Sequence, residues 1–242
     1  MKISICIPMY NELAKVKDTT ECLVSEMELY CENSGDSYEI IFADDGSTDG
    51  CGDAVPITLP LKHGRVFVVR REVNLGKGAA VRDAVIASTG DVVMYTDCDL
   101  AYGTEIIPRT FETMKENGAD MLAGSRAIHK DGYGEYTLIR KVASKVYIKL
   151  ISLITGLAVT DSQCGFKMFR GDFARKIFPC CETNGWAFDL EVFLLAKKAR
   201  AVVREVPVAI VKHDDSHVNV VTDSIKMLRE VFRIKKRVNA KK

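Results

Sequence analysis

The chain has 242 residues, of which 47% are apolar, and its 34 basic and 33 acidic residues leave a net charge of +1. This length can bury a large core, and the composition excludes a disordered or fibrous protein. Residues 150–160 form the longest mainly apolar run without a charge, about half the twenty residues that a membrane span needs. We therefore expect neither a transmembrane helix nor a secretory signal, and we expect the eight cysteines to be reduced thiols of a cytoplasmic protein.

Short runs rich in β-branched residues alternate with helix-length segments in the first half. This alternation is typical of βαβ units, so we expect an α/β fold in which helices flank a mostly parallel sheet. Ligands of such sheets bind beyond the carboxyl ends of the strands. The predicted strands are 2–7, 38–43, 66–70, 91–95 and 120–123, and the predicted helices are 12–33, 76–88 and 105–117.

The second half changes character from residue 124. A polar, glycine-rich loop (130–135) precedes a long apolar and basic segment, and a compact region containing Trp186 follows. Without a repeat or a linker, the sequence predicts one domain over 1–217. Its parts are a nucleotide-binding half (1–123) and an acceptor-side half (124–217), and 218–242 form a basic amphipathic helix or tail.

Two carboxylates follow the predicted buried strand 91–95. Asp97 and Asp99 flank Cys98, and two acids so spaced can share a divalent cation that keeps open positions for phosphate oxygens. Such a cation neutralises the charge of a departing diphosphate. The alternative is a solvated acidic turn, which is the commoner meaning of the triplet alone. Its place after a buried strand favours the metal site.

An acidic loop follows the predicted strand 38–43, beginning with Asp44, Asp45 and Gly46. A carboxylate there can accept hydrogen bonds from the N–H groups of a nucleobase, while the glycine permits a tight turn. A plain Asx turn that opens a helix explains the same residues equally well.

The stretch 74–80 has the composition of a loop at a helix start that binds phosphate. Free N–H groups and the helix dipole favour anions at such a place. Lys77 and Arg82 would add positive charge, or they could be ordinary surface residues. The stretch is not a Walker A motif, because GxxxxGK[ST] is absent.

In this order and spacing the loops resemble those of the inverting glycosyltransferases of family 2, which have the GT-A fold. The matching stretches are 7–12, 43–50, 74–78 and 97–99. Three later stretches resemble the dolichyl-phosphate sugar synthases, and the β-glucosyltransferase branch more than the mannose branch: 124–126, 161–169 and 185–191. The resemblance covers roughly residues 3–210.

The resemblance implies a role for each matching residue. Asp97 and Asp99 would hold Mg²⁺ or Mn²⁺ on the diphosphate of a nucleotide sugar, and Asp45 would contact the base. Asp189 and Glu191 would be catalytic, as a base for a hydroxyl acceptor or as charge-balancing groups for a phosphate acceptor. The residues implied in donor binding are Pro8, Tyr10, Asn11, Glu12, Asp44, Asp45, Gly76, Lys77, Arg82, Asp97, Cys98 and Asp99. Those implied in acceptor or sugar binding are Arg126, Gln163, Lys167 and Trp186.

One position departs from the family pattern. Many mannosyl relatives carry a glutamine two residues after the second acid, where this chain has Ala101. The departure argues against GDP-mannose as donor and leaves the third ligand of the metal unassigned.

Two segments are candidates for contact with a membrane surface. Residues 137–160 combine a basic stripe with a broad apolar face and contain no acid, and residues 225–242 hold eight basic residues and one acid. Such segments can lie on an anionic bilayer, or they can pack on the protein with their charges in water. No motif for reading nucleic acid accompanies the basic tail.

The sequence thus predicts an enzyme at the cytosolic face of a membrane that transfers a hexose to a polyprenyl phosphate. The favoured hexose is glucose, and the favoured donor is UDP-glucose. Within enzymes, the alternatives are GDP-mannose as donor or a saccharide or polyol hydroxyl as acceptor. A nucleotidyltransferase and a noncatalytic membrane scaffold are the alternatives from other classes.

Overall fold

The computed structural model describes residues 1–132, 138–211 and 220–241, with the side-chain surroundings of 138–145 and 220–228 left out. Part of the predicted loop 130–135, the predicted boundary at 217 and the side chains of Lys141 and Lys145 in the predicted basic stripe lie outside this description. The strands are β1 (Lys2–Met9), β2 (Ser37–Asp44), β3 (Gly64–Arg70), β4 (Val92–Tyr95), β5 (Met121–Ser125), β6 (Lys167–Arg170) and β7 (Val203–Pro207). The helices are α1 (Leu13–Ser34), α2 (Cys51–Ala54), α3 (Lys77–Ala87), α4 (Ile106–Asn117), α5 (Leu138–Thr155), α6 (Gly171–Ile177), α7 (Phe188–Lys198) and α8 (Val220–Ala240).

The seven strands form one sheet in the order β3-β2-β1-β4-β6-β5-β7. All neighbours are parallel except β6, which runs antiparallel to both β4 and β5. The predicted mostly parallel sheet is confirmed, with all five predicted strands present. The sequence pattern did not predict β6 and β7, because both are short and contain charged residues.

The core lies on both faces of the sheet. Alternate residues of β1 face opposite sides, so Ile3, Ile5 and Ile7 pack under α1 and α4, whereas Cys6 packs on the side of α3 and α7. Because β1, β2 and β4 are parallel, their carboxyl ends meet at one edge. The loops 10–12, 45–50 and 96–100 therefore meet there.

The segment after α5 brings a second set of residues to this edge. The chain returns through residues 156–166 and enters the sheet as β6 beside β4. This path places Gly165 against Asp97: a Cβ at Gly165 would come within 2.2 Å of Oδ2 of that carboxylate. The antiparallel strand thus connects the two halves of the chain at the edge where the metal was predicted.

The basic end of the chain forms the helix α8, and part of it packs on the protein. Val231, Ile234 and Val238 of α8 are buried in the core, where α8 contacts α5 and α7. Phe232 lies on another face and is 60% exposed. Among the described residues, no helix is both long and apolar enough to cross a bilayer.

Candidate active site

A cleft of about 390 Å³ opens at the carboxyl ends of β1, β2 and β4. It brings together residues from the start of α1, the loop before α3, the acidic triplet and the loop before α7. Its lining consists of Pro8, Met9, Tyr10, Glu12, Asp45, Asn74, Gly76, Lys77, Ala80, Asp97, Cys98, Asp99 and Trp186. Nine of the residues implied in donor binding, and Trp186 with them, thus share one cleft.

The acidic triplet lies at the mouth of this cleft. The Asp97 carboxylate is about one third exposed and forms an ion pair with the ammonium group of Lys77. Asp99 Oδ1 accepts a hydrogen bond of 3.0 Å from the Ala101 N–H. Between the two acids, Cys98 is 3% exposed and its carbonyl oxygen accepts a hydrogen bond of 2.5 Å from Thr19 Oγ1. The backbone is thus anchored to α1 while both carboxylates reach the cleft.

The Lys77 ammonium group remains charged in this setting. Burial lowers its pKa, but the negative charges of Asp97 and Asp189 outweigh burial and raise the pKa above its usual value. A second contact places the ammonium nitrogen 4.9 Å from the centre of the Trp186 ring. A positive group therefore lies beside the carboxylates before any ligand binds.

The donor set at this place suits a hard divalent cation. Asp97 and Asp99 supply carboxylate oxygens, which Mg²⁺ prefers, and the Lys77 ammonium shows that Asp97 accepts a cation as neighbour. Over the described ranges, no three side chains of His, Cys, Asp or Glu come together to form a complete metal site. Phosphate oxygens of a bound diphosphate would complete the coordination.

Asp45 connects the second loop to the third. It is 2% exposed, and its two carboxylate oxygens accept hydrogen bonds from the N–H groups of Leu75 (3.1 Å) and Gly76 (2.6 Å). Each carboxylate oxygen has two lone pairs, so the group can still accept a hydrogen bond from a base. Gly76 has a positive φ of 107°, which a side chain would strain.

The start of α3 differs from the expected phosphate-binding loop. The carbonyl oxygen of Asn184 accepts hydrogen bonds from the N–H groups of Gly78 (2.7 Å) and Ala79 (3.4 Å). With Leu75 and Gly76 already bound to Asp45, the backbone donors of this loop are largely used within the protein. Lys77 is therefore the group that this loop offers to a phosphate.

Two residues implied in donor binding, Asp44 and Asn11, hold the turn at the end of β2 and do not line the cleft. Asp44 Oδ1 accepts from the Ser47 N–H at 2.9 Å, and its Oδ2 lies 3.4 Å from Arg70 Nε. Asn11 has a φ of 55°, and its side-chain oxygen accepts from the Thr48 N–H at 2.9 Å. These contacts fix the first two loops to each other.

Arg82 also lies away from the lining. Its guanidinium donates to the Cys181 carbonyl at 2.8 Å and to Asn184 Oδ1 at 2.9 Å. These bonds hold α3 against residues 181–184, which precede α7. Trp186 follows this segment by two residues. The indole of Trp186 is 71% exposed at the cleft, which suits contact with a sugar or another ligand.

Lys167 and Asp189 form a buried ion pair under the site. Lys167 is fully buried, and its ammonium donates to Asp189 Oδ1 (2.6 Å) and to the Cys164 carbonyl (2.5 Å). The Tyr95 hydroxyl donates to the same Asp189 oxygen at 2.5 Å, and burial together with the charge of Asp189 raises its pKa well above the usual value. The expected contact of Lys167 with an acceptor is replaced by this internal pair.

Glu191 is fully buried and has four described protein donors. Its Oε2 accepts from the N–H groups of Glu182 (3.0 Å) and Thr183 (2.7 Å), and the guanidinium of Arg237 lies 2.8 Å from it. A second bond of 3.2 Å joins Arg237 Nε to Oε1. Glu191 does not line the cleft, so its surroundings are those of a structural anchor.

Three of the four residues implied in acceptor or sugar binding, Arg126, Gln163 and Lys167, lie in or beside the loop 161–166, whereas Trp186 lines the cleft. Arg126 makes a two-pronged ion pair with Asp161, at 2.7 and 3.0 Å, which outweighs burial and lowers the pKa of the carboxyl group. Ser162 Oγ and Gln163 Nε2 are buried and have no hydrogen-bond partner within the described part of the chain. Gly165 of this loop lies against Asp97, so the loop borders the acidic triplet.

Sequence reasoning missed two residues that build the site. Asn184 contacts both Arg82 and the start of α3. Arg237 binds Glu191, whereas the sequence showed it only as one of the charges of the basic tail. Both act through contacts between elements far apart in the chain.

Solved structures with the same architecture include several enzymes that act on sugars. Glucosyl-3-phosphoglycerate synthase from Mycobacterium tuberculosis, solved with Mn²⁺, UDP-glucose and phosphoglyceric acid, has a TM-score of 0.67 at 18% identity over 98% of this chain and 80% of its own. Mannosyl-3-phosphoglycerate synthase from Rubrobacter xylanophilus also has a TM-score of 0.67, at 16% identity over 100% and 76%. At these identities the likeness establishes the fold, which is that of GT-A glycosyltransferases.

Curated sequences match at higher identity and over nearly the whole chain. The dolichyl-phosphate beta-glucosyltransferase of Dictyostelium discoideum is 28% identical over 96% of this chain and 73% of its own length. The enzyme of the same name from Saccharomyces cerevisiae is 27% identical over 96% and 74%, and one from Trichomonas vaginalis is 30% identical over 94% and 69%. The model named "Glycosyl transferase family 2" matches residues 4–178, well over half of the chain, so this glycosyltransferase belongs to that family.

Proposed function

We propose that the enzyme transfers glucose from UDP-glucose to a polyprenyl phosphate, with inversion and with Mg²⁺ or Mn²⁺. The observation that carries the proposal is the meeting of Asp97, Asp99, Lys77 and Asp45 in one cleft of a family 2 chain. Relatives that match 96% of the chain are named dolichyl-phosphate beta-glucosyltransferases, which supports this donor sugar and this acceptor class.

The donor would occupy the cleft with its diphosphate at the acidic triplet. Asp97 and Asp99 would hold the cation, which, when bound, neutralises charge on the leaving diphosphate. Lys77 adds a positive charge at the same place, Asp45 lies where a base can be contacted, and Trp186 offers an apolar face to the sugar.

The surroundings of Asp189 favour a phosphate over a hydroxyl as acceptor. A hydroxyl needs a free base to take its proton, but Asp189 is buried and bound to Lys167 and Tyr95. A lipid phosphate is already ionised. Its oxygen would form the new bond to the anomeric carbon as the bond to the diphosphate breaks, and the leaving oxygen takes the electron pair. One displacement of this kind inverts the anomeric centre.

The acceptor phosphate would lie against the loop 161–166. The Ser162 hydroxyl and the Gln163 amide are hydrogen-bond donors without partners among the described residues. In this proposal the acceptor phosphate accepts a hydrogen bond from each. The bidentate pair between Arg126 and Asp161 would hold this loop in shape for it.

Exposed apolar and basic residues on α5 and α8 support docking to the cytosolic face of a membrane. Leu153 of α5 is 75% exposed and Phe232 of α8 is 60% exposed, and the two helices contact each other. Arg229, Arg233 and Lys236 are exposed on α8. Apolar groups flanked by positive charge bind anionic bilayers by burial and by electrostatic attraction.

A product assay tests this proposal. Labelled UDP-glucose and GDP-mannose are each supplied with dolichyl phosphate in detergent or with soluble saccharides, in the presence of Mg²⁺ or Mn²⁺. The proposal expects labelled lipid product from UDP-glucose, lost on chelation. Transfer only to a soluble saccharide, or lipid product only from GDP-mannose, would contradict it.

A further inference from the structure

We propose that Arg237 of α8 is a positioning residue for the donor cleft, acting through Glu191 on the segment 182–186 that ends in Trp186. Arg237 and Trp186 belong to different elements, and Arg237 does not line the cleft. The inference rests on the proposed use of this cleft for a nucleotide sugar, and it adds a residue that the donor motifs do not contain.

The first link runs from α8 to Glu191. The Arg237 guanidinium binds both carboxylate oxygens of Glu191, at 2.8 and 3.2 Å, and donates to Thr183 Oγ1 at 2.5 Å. Glu191 is fully buried, so the guanidinium is its positively charged partner within the protein. A charged pair with two parallel contacts fixes both partners in orientation.

The second link runs from Glu191 to the segment before α7. Glu191 accepts from the N–H groups of Glu182 and Thr183, at 3.0 and 2.7 Å. Arg237 and Glu191 thus hold Thr183 by its side chain and its backbone. Lys241 adds an ion pair of 2.7 Å with Glu182 at the end of α8.

The third link runs from this segment to the cleft. The Asn184 carbonyl accepts from Gly78 N at 2.7 Å, and a Cβ at Gly76 would meet the same oxygen at 2.7 Å. The segment is therefore packed closely on the start of α3, the helix that carries Lys77. Trp186 follows two residues later, with its ring 4.9 Å from the Lys77 ammonium.

The contacts form one continuous path from the surface of α8 to two cleft residues. Without Arg237, Glu191 would be a buried carboxylate without its described counter-charge, and Thr183 would lose a donor. The segment would then move or loosen, and Trp186 and Lys77 would lose their relative position. Donor binding depends on such preorganisation.

Trp186 is the only tryptophan of the chain, so its fluorescence reports on this segment directly. The test compares R237Q and R237K with K62Q, whose residue is 75% exposed and lies outside the cleft and the basic face of α8. The anisotropy decay and the affinity for UDP are measured without lipid, and the kinetics are measured with dolichyl phosphate in detergent. The measurements are the anisotropy decay of Trp186, the affinity for UDP with Mn²⁺, and KM and kcat for the donor.

We expect R237Q to add a fast local motion of Trp186 and to raise the KM for the donor about tenfold, the effect of losing one charged hydrogen bond. R237K, which keeps the charge, should recover part of the affinity, and K62Q should match the wild type. Folded R237Q with unchanged Trp186 motion and unchanged KM would overturn the proposal.

Two further results keep the test decisive. If R237Q does not fold, T183V removes only the contact to Thr183 Oγ1, and it should move Trp186 in the same direction; no change would count against the proposal. If the wild type turns over no nucleotide sugar, the proposed function fails. The anisotropy decay of the ligand-free protein still decides whether Arg237 positions Trp186.

Discussion

The ammonium group of Lys77 forms an ion pair with Asp97, one of the two acids proposed to hold the metal. This lysine therefore places a positive charge beside the site before the cation arrives. The cation and the ammonium compete for the same carboxylate, whereas a donor diphosphate attracts both. It follows that the metal should bind weakly alone and tightly together with the nucleotide.

The K77M variant tests this competition. Removing the ammonium frees Asp97, so we expect the affinity for Mn²⁺ alone to rise severalfold. Donor turnover should fall by roughly 10- to 100-fold, because the positive charge of Lys77 no longer stabilises the diphosphate. Free Mn²⁺ counted by electron paramagnetic resonance gives the first quantity and steady-state kinetics the second. K62M, at a lysine that is 75% exposed, is the control. If K77M bound free Mn²⁺ no better than the wild type, Lys77 would not compete for Asp97.

Gly165 offers a steric test of the same carboxylate. A methyl group there would lie 2.2 Å from Asp97 Oδ2, so G165A must displace the acid or the loop. We expect turnover to fall at least about tenfold, since small displacements at a reacting centre are costly. G185A is the matched control, because a Cβ at Gly185 has nothing within 4 Å. Equal activity of the two variants would show that the position of Asp97 is unimportant.

The lowered pKa of Glu39 predicts how the free energy of unfolding changes at acid pH. Glu39 is fully buried, and although burial raises its pKa, hydrogen bonds from Lys2, Ser4 and Thr89 outweigh burial and lower it to about 2. Because the pKa is lower in the folded state, the stabilisation is complete above about pH 4.5 and is lost as the pH falls towards 2.

The E39Q variant removes this titration. The stabilisation is on the order of 3 kcal/mol, at about 1.4 kcal/mol per pKa unit, so E39Q should have a shallower loss of unfolding free energy between pH 4.5 and 2. Urea unfolding at several pH values measures it. E32Q, at an exposed residue, should retain the wild-type slope. An E39Q slope equal to that of the wild type would contradict this account of Glu39.

The exposed basic face of α8 leads to a prediction about lipid binding. Each basic residue near an anionic surface contributes about 1 kcal/mol, so changing Arg229, Arg233 and Lys236 to Gln should weaken binding to phosphatidylserine vesicles about 100-fold at low salt. Vesicle sedimentation at several salt concentrations measures this. A second triple variant, K17Q/K62Q/R109Q, removes the same charge from other exposed places. Equal losses in the two triples would argue against a docking face on α8.

Local patterns predicted the parts of the fold and site that lie within one βα unit. The acidic triplet after β4 and the glycine loop before α3 reach the cleft because parallel strands end at one edge. The number of basic residues and the spacing of the apolar ones also indicated the basic amphipathic character of α8. The strand β6 was missed because four residues with a lysine at one end carry little periodicity.

The surroundings of single side chains depended on long-range contacts that no local pattern contains. Lys167 and Asp189 were expected at the ligand surface, yet they neutralise each other in the core across 22 positions of the chain. Glu191 finds its partner 46 positions away in α8. A charged residue in a motif indicates that charge is needed, but whether it faces a ligand or another residue is decided by packing.

The central claim is that Asp97 and Asp99 hold a divalent cation against the donor diphosphate. Anomalous scattering at the manganese edge, from crystals containing UDP and Mn²⁺, tests it most directly. We expect a single peak in coordination contact with both carboxylates and with the diphosphate, with Lys77 turned from Asp97 towards a phosphate, and no peak in D97N or D99N crystals. Bound UDP with manganese elsewhere, or with both carboxylates left uncoordinated, would contradict the account.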